Sequence, residues 1–105
     1  MRLAASDLEI IGECLKALAL GPFLPDWEFG TLMGMSREEL TALAVLWPNV
    51  DFREPTVRKA ISNSLANLTG YPIGGEERWS EYISISRSAL SQIHIRFDDS
   101  GAEND

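Results

Sequence analysis

The chain has 105 residues, 45% of them hydrophobic and 24% charged, with a formal net charge of −7 and one cysteine. That length supports a single modest core and no second domain. The acidic balance disfavours a nucleic-acid phosphate binder, which draws affinity from lysine and arginine, and one cysteine excludes an internal disulfide.

The acid is unevenly placed. Asp98, Asp99, Glu103 and Asp105 fall in the last eight residues, so residues 1–97 carry nine basic against twelve acidic side chains, a net −3. The start of the chain lacks the long apolar run of a signal peptide, and no stretch approaches the ~20 apolar residues that span a bilayer. With a lone cysteine, this reads as a cytoplasmic protein of a reducing compartment.

Ser6 and Glu9 have capping-box spacing and open the first helix, about 7–20. Leu8, Ile11, Leu15, Leu18 and Ala19 give it an apolar stripe at three- and four-residue steps. Gly21-Pro22 stops it, with glycine suited to a left-handed position. Phe23-Leu24-Pro25 is an apolar connector. Asp26 then serves as the N-cap of a short second helix ending at Gly34. Ser36 and Glu39 form another capping box, with Met35 and Leu40 at hydrophobic-staple spacing. Leu40, Leu43, Val45, Leu46 and Trp47 carry the third helix inward, and Pro48 ends it.

Asn49 to Glu54 is a polar loop holding Val50 and Phe52. Pro55 suits the first position of the fourth helix, where a missing N–H costs nothing. Val57, Ile61, Leu65 and Leu68 form its buried stripe, beside Ala60 and Ser64, and Gly70 closes it. Asn63 and Asn67, one turn apart at the stripe's edge, have amides placed to bond a neighbouring backbone. Residues 71–75 are a loop. Glu76 and Glu77 begin a fifth helix that runs to about Ile83, and Ser86 caps the sixth. Residues 92–97 alternate briefly in strand fashion, but the staple of Ile85 and Leu90 favours helix. The small, acidic residues 98–105 read as a disordered tail behind a single helical domain of residues 1–97.

Residues 77–97 echo residues 27–47. Phe29 meets Trp79, Leu32 meets Tyr82, Leu40 meets Leu90, Leu43 meets Ile93 and Trp47 meets Phe97, and Ser36-Arg37 meets Ser86-Arg87. The expected fold is therefore all-α: about six short helices in an orthogonal bundle, with an internal helix-turn-helix duplication and the matched positions in the core.

Residues 26–43 also resemble the helix-turn-helix pattern of DNA readers, with Gly30 at its small position five and Gly34 at nine. The would-be recognition helix opens Arg37-Glu38-Glu39, and its carboxylates would meet phosphates. The second copy is better charged, with Arg87, Gln92, His94 and Arg96. The stretch N-S-L-A-N-L-T-G-Y-P resembles segments of small bacterial proteins and implies no activity.

Catalysis has little to draw on. His94 is the only histidine, Cys14 reads as a small core residue, and no ligand cluster or phosphate loop suggests a metal, cofactor or small-molecule site. The features without an echo are Trp27, matched by Glu77, and aromatic residues in connectors. Trp27, Phe52, Arg53, Tyr71, Glu76 and Glu77 have the composition of interface anchors with a charged rim. The expected role is a non-enzymatic protein-binding module, of the immunity or inhibitor type, that occludes a basic partner protein through the 48–54 and 70–77 loops. A DNA-binding regulator using the second copy and a structural homodimer are the alternatives.

Overall fold

A computed structural model describes residues 3–70 and 74–103. It has six α-helices: α1 (Ala5–Leu20), α2 (Asp26–Met33), α3 (Arg37–Leu46), α4 (Pro55–Gly70), α5 (Trp79–Tyr82) and α6 (Arg87–Glu103). A 3-10 turn at Glu76–Arg78 leads into α5. No strand occurs among the described residues, and residues 92–97 lie within α6.

Two antiparallel pairs make the frame. α3 runs back along α1: Arg37 reaches the carbonyls of Leu18 and Ala19, and the indole of Trp47 donates to Leu8 O at 2.8 Å. α6 packs on α4, where Arg58 bonds Phe97 O. α1 and α4 pack on each other between the pairs. The short helices cross over, α2 resting on α4 and α5 on α1. Asn63 and Asn67 tie the first crossing to the carbonyls of Met33 and Leu32 at 2.9 and 3.1 Å, the backbone role their spacing suggests. Glu13 ties the second, accepting from the backbone N–H and hydroxyl of Ser84.

Corresponding positions fifty residues apart share environments. α1 and α4 are both sixteen residues long and start fifty apart. Burial is the same, residue for residue, along 31–40 and 81–90. The hydroxyls of Thr41 and Ser91 bond back to the carbonyls of Arg37 and Arg87. All ten matched side chains from Phe29/Trp79 to Trp47/Phe97 are buried or packed against the core.

Several local expectations need correction. Ser6 does not cap α1. The Asp7 carboxylate takes the Ala4 N–H at 3.2 Å, so the helix starts at Ala5. Gly21 is extended, φ −89°, rather than left-handed. Asp26 is the first residue of α2 and Pro25 its N-cap. Ser36 and Glu39 do form the reciprocal box, at 3.1 and 2.8 Å. Val45 and Leu46 point outward, 77% and 56% exposed. α3 lies at the surface and buries a narrow seam of Leu40 and Ala44, so it has no place for a wider stripe. α6 runs from Arg87 to Glu103.

Candidate functional site

Two clefts occupy corresponding places at the turns into α3 and α6. The first is lined by Asp26, Phe29, Gly30, Ser36, Arg37 and Glu38. The second is lined by Glu76, Trp79, Ser86 and Arg87. Each places an arginine against a carboxylate and over an aromatic ring. Arg37 lies 2.9 Å from Asp26 and 4.4 Å from the Phe29 ring centre. Arg87 lies 2.7 Å from Glu76 and 5.3 Å from the Trp79 ring centre.

The two arginines differ in what else they hold. Arg37 donates to Leu18 O, Ala19 O and Leu24 O at 2.9, 3.2 and 2.9 Å. These include end carbonyls of α1 that lack partners within the helix, and a cation there also meets the negative end of the helix dipole. Arg37 is therefore a structural clamp. Arg87 is fixed by Glu76, and the Trp79 indole beneath it donates to Ile85 O at 2.8 Å.

Trp27 follows the cleft residue Asp26 in sequence and is 81% exposed. It sits on the solvent face of α2, whose buried residues are Phe29 and Met33. Gly30 follows one turn later. A Cβ added at Gly30 would meet nothing within 4 Å, and its φ is not positive. Neither packing nor backbone geometry requires glycine here, so the small residue at this place in the helix-turn-helix pattern is not serving that pattern's packing need. In a helix interior, glycine costs about 1 kcal/mol relative to alanine.

The other residues expected at the site are dispersed. Phe52 is half-buried, its ring edge-on to Trp47 at 5.3 Å. Arg53 is exposed; its guanidinium approaches Asp51 at 3.9 Å and its backbone N–H donates to the same carboxylate at 2.9 Å. Glu76 is bound to Arg87, while Glu77 is exposed. Tyr71 lies outside the described residues. The 48–54 loop leads into the first turn of the sixteen-residue α4, which at 1.5 Å per residue is about 24 Å long. The 74–75 turn packs beside the 21–25 connector, with Gly74 N donating to Phe23 O. Phe23 itself is buried, edge-on to Trp79 and Tyr82.

Several titratable groups are held by the fold. Arg96 forks onto the buried Asp7 at 3.0 and 2.8 Å, and that hydrogen bonding holds the Asp7 carboxyl below its ordinary value against the opposing effect of burial. The Ser36 backbone N–H lowers Glu39 in the same way. Burial pushes the Cys14 thiol up, away from the nucleophilic thiolate. His94 Nε2 lies 3.6 Å from Asp98. Among the described residues no group of three histidine, cysteine or carboxylate side chains could hold a metal, and no helix is long and apolar enough to cross a membrane. No family model matches the chain, and no characterised protein or solved structure is detectably similar to it.

Sequence reading picked out Trp27 but missed Gly30 and the acidic pair Asp26 and Glu38 around it. The available signal was a mid-helix glycine with no turn to make.

Proposed function

We propose that the chain is a small non-enzymatic protein-binding module that acts by covering a partner, in the manner of an immunity or inhibitor protein. One observation carries this reading: Trp27 is 81% exposed on a helix whose buried face is elsewhere. A tryptophan side chain can bury 150–250 Å² on contact, and the fold uses almost none of it. Tryptophan is enriched among the residues that dominate binding energy at interfaces. Mounted on a helix, it loses little conformational freedom when a partner arrives.

The correspondences at fifty-residue spacing support reading the chain as two copies of one three-helix unit. In that reading the copies part where function enters, at Trp27 against Glu77 and Gly30 against Ser80. The DNA-binding alternative is weaker, because Arg87 and Arg96 are occupied by Glu76 and Asp7. A homodimer would draw on Val45 and Ile95, matched residues that are 77% and 55% exposed. A buried, unpaired cysteine suits a reducing, cytoplasmic setting.

The test is retention from a lysate of the source cell on immobilised wild-type chain and on Trp27→Ala, with both shown to melt at the same temperature. A protein held by the wild type and lost by the variant is the expected result. Identical retained sets on the two columns would remove Trp27 as the anchor, and the reading with it.

A further inference from the structure

We propose that the notch beside Trp27 receives an arginine side chain from a basic segment of the partner. The inference rests on the protein-binding reading above and adds the chemistry of what binds.

The notch is made by an absence. Helical side chains lean back toward the preceding turn, so a side chain at position 30 would lie over positions 26 and 27. Gly30 has none, and a Cβ added there would meet nothing within 4 Å. Position 30 therefore leaves the helix surface open next to positions 26 and 27, at a cost in helix stability that packing does not require.

What surrounds the notch is an aromatic face and acid. The Asp26 side chain is 94% exposed and engages Arg37 through Oδ1. Glu38 also lines the cleft and is exposed. The local cation cannot answer an incoming anion, since Arg37 is spent on three carbonyls and Asp26. An aromatic face beside carboxylates suits a cation. A guanidinium suits it better than an ammonium, because a planar fork can stack on an indole while its N–H groups reach a carboxylate. Much of the chain's own positive charge is likewise tied up, in Arg78–Glu81, Arg87–Glu76 and Arg96–Asp7. The −7 chain therefore steers basic partners toward its surface.

The three indole N–H groups provide the readout. Those of Trp47 and Trp79 are bonded to Leu8 O and Ile85 O, while that of Trp27 has no partner among the described residues. In a ¹⁵N-labelled chain titrated with hexa-arginine peptide at low salt, the Trp27 indole signal should move saturably and the other two should stay. Trp27→Ala and Gly30→Leu should each weaken peptide binding by about two- to fivefold, as expected on losing an exposed cation–π contact or its space. Hexa-lysine, equal in charge, should bind more weakly. Equal affinity for the two peptides, or unchanged hexa-arginine affinity in both variants, would overturn the proposal, since charge alone would then be read. Light scattering that finds a Trp27-dependent dimer would also overturn it, because a second copy would be the occupant. If a protein is retained through Trp27 while hexa-arginine leaves its indole unmoved, the protein-binding reading stands and the arginine inference falls.

Discussion

The indole of Trp47 lies against the backbone of Gly12, so that a Cβ added to Gly12 would come within 2.6 Å of Trp47 Cδ1 and 2.9 Å of Nε1. Trp47 cannot easily retreat, because the same Nε1 donates to Leu8 O. Gly12 and Gly30 are thus both helical glycines, but for opposite reasons: one is filled by a neighbour and the other faces open space.

Alanine at the two positions should therefore have opposite effects. Gly12→Ala should destabilise by about 1–3 kcal/mol through overpacking. Gly30→Ala should stabilise by about 0.5–1 kcal/mol through helix propensity and a less flexible unfolded chain. For a domain of this size, each kcal/mol moves the melting temperature by roughly 4–8 °C. Thermal melts of the two variants check this, and a shift of the same sign in both would contradict it.

Arg37 and Arg87 correspond in position but should not correspond in cost. Arg37→Met strips a cation from three carbonyls, and the loss should be about 2–3 kcal/mol, given the strength of hydrogen bonds to charged groups. Arg87→Met breaks one partly exposed ion pair, worth about 0–1 kcal/mol. Arg37→Lys should fall between, because an ammonium cannot serve that many carbonyls in the same geometry. Urea unfolding distinguishes the cases, and equal losses for Arg37→Met and Arg87→Met would show that the carbonyl clamp contributes nothing.

The Asp7–Arg96 pair should make stability depend on pH in one direction. The folded Asp7 carboxyl is held below its ordinary value of 3.8. Its contribution is then fully present above about pH 5 and lost as the pH falls through the ordinary value toward the lowered one. Arg96 stays charged throughout that range. Arg96→Met leaves a buried carboxylate with only the Ala4 N–H, at a cost of about 3 kcal/mol near neutral pH. Protonating Asp7 relieves that penalty, so the gap between wild type and variant should narrow from pH 7 to pH 3. Denaturant midpoints at the two pH values measure it, and a gap that does not narrow would mean the pair is not stabilising.

Much of this architecture was legible because local signals and packing agree. Val57, Ile61, Leu65 and Leu68 repeat at helical spacing, and all four are buried. Ser36 and Glu39 needed only each other to be read correctly. The start of α1 was misread because its cap depends on Asp7, which is held by Arg96 from 89 residues away. Val45 and Leu46 were misplaced because apolar character alone does not say how narrow a seam a surface helix buries. The correspondence of α1 with α4 was hidden by exchanges such as Asp7 for Val57 and Leu8 for Arg58, with only Ile11/Ile61, Leu15/Leu65 and Leu18/Leu68 identical. For the site, Trp27 was visible as an aromatic residue without an echo. The notch was not, because the significance of Gly30 lies in the space around it.

The crossed packing of the short helices has a consequence for continuity of the chain. α2 leans on α4 and α5 on α1, so each half's opening helix is walled by a piece of the other half. Cleavage in the 48–54 loop would sever no helix, yet neither fragment would keep a closed interior. The halves are interlocked rather than adjacent, and co-expressed fragments split at that loop would be expected to reassemble with each other rather than fold apart.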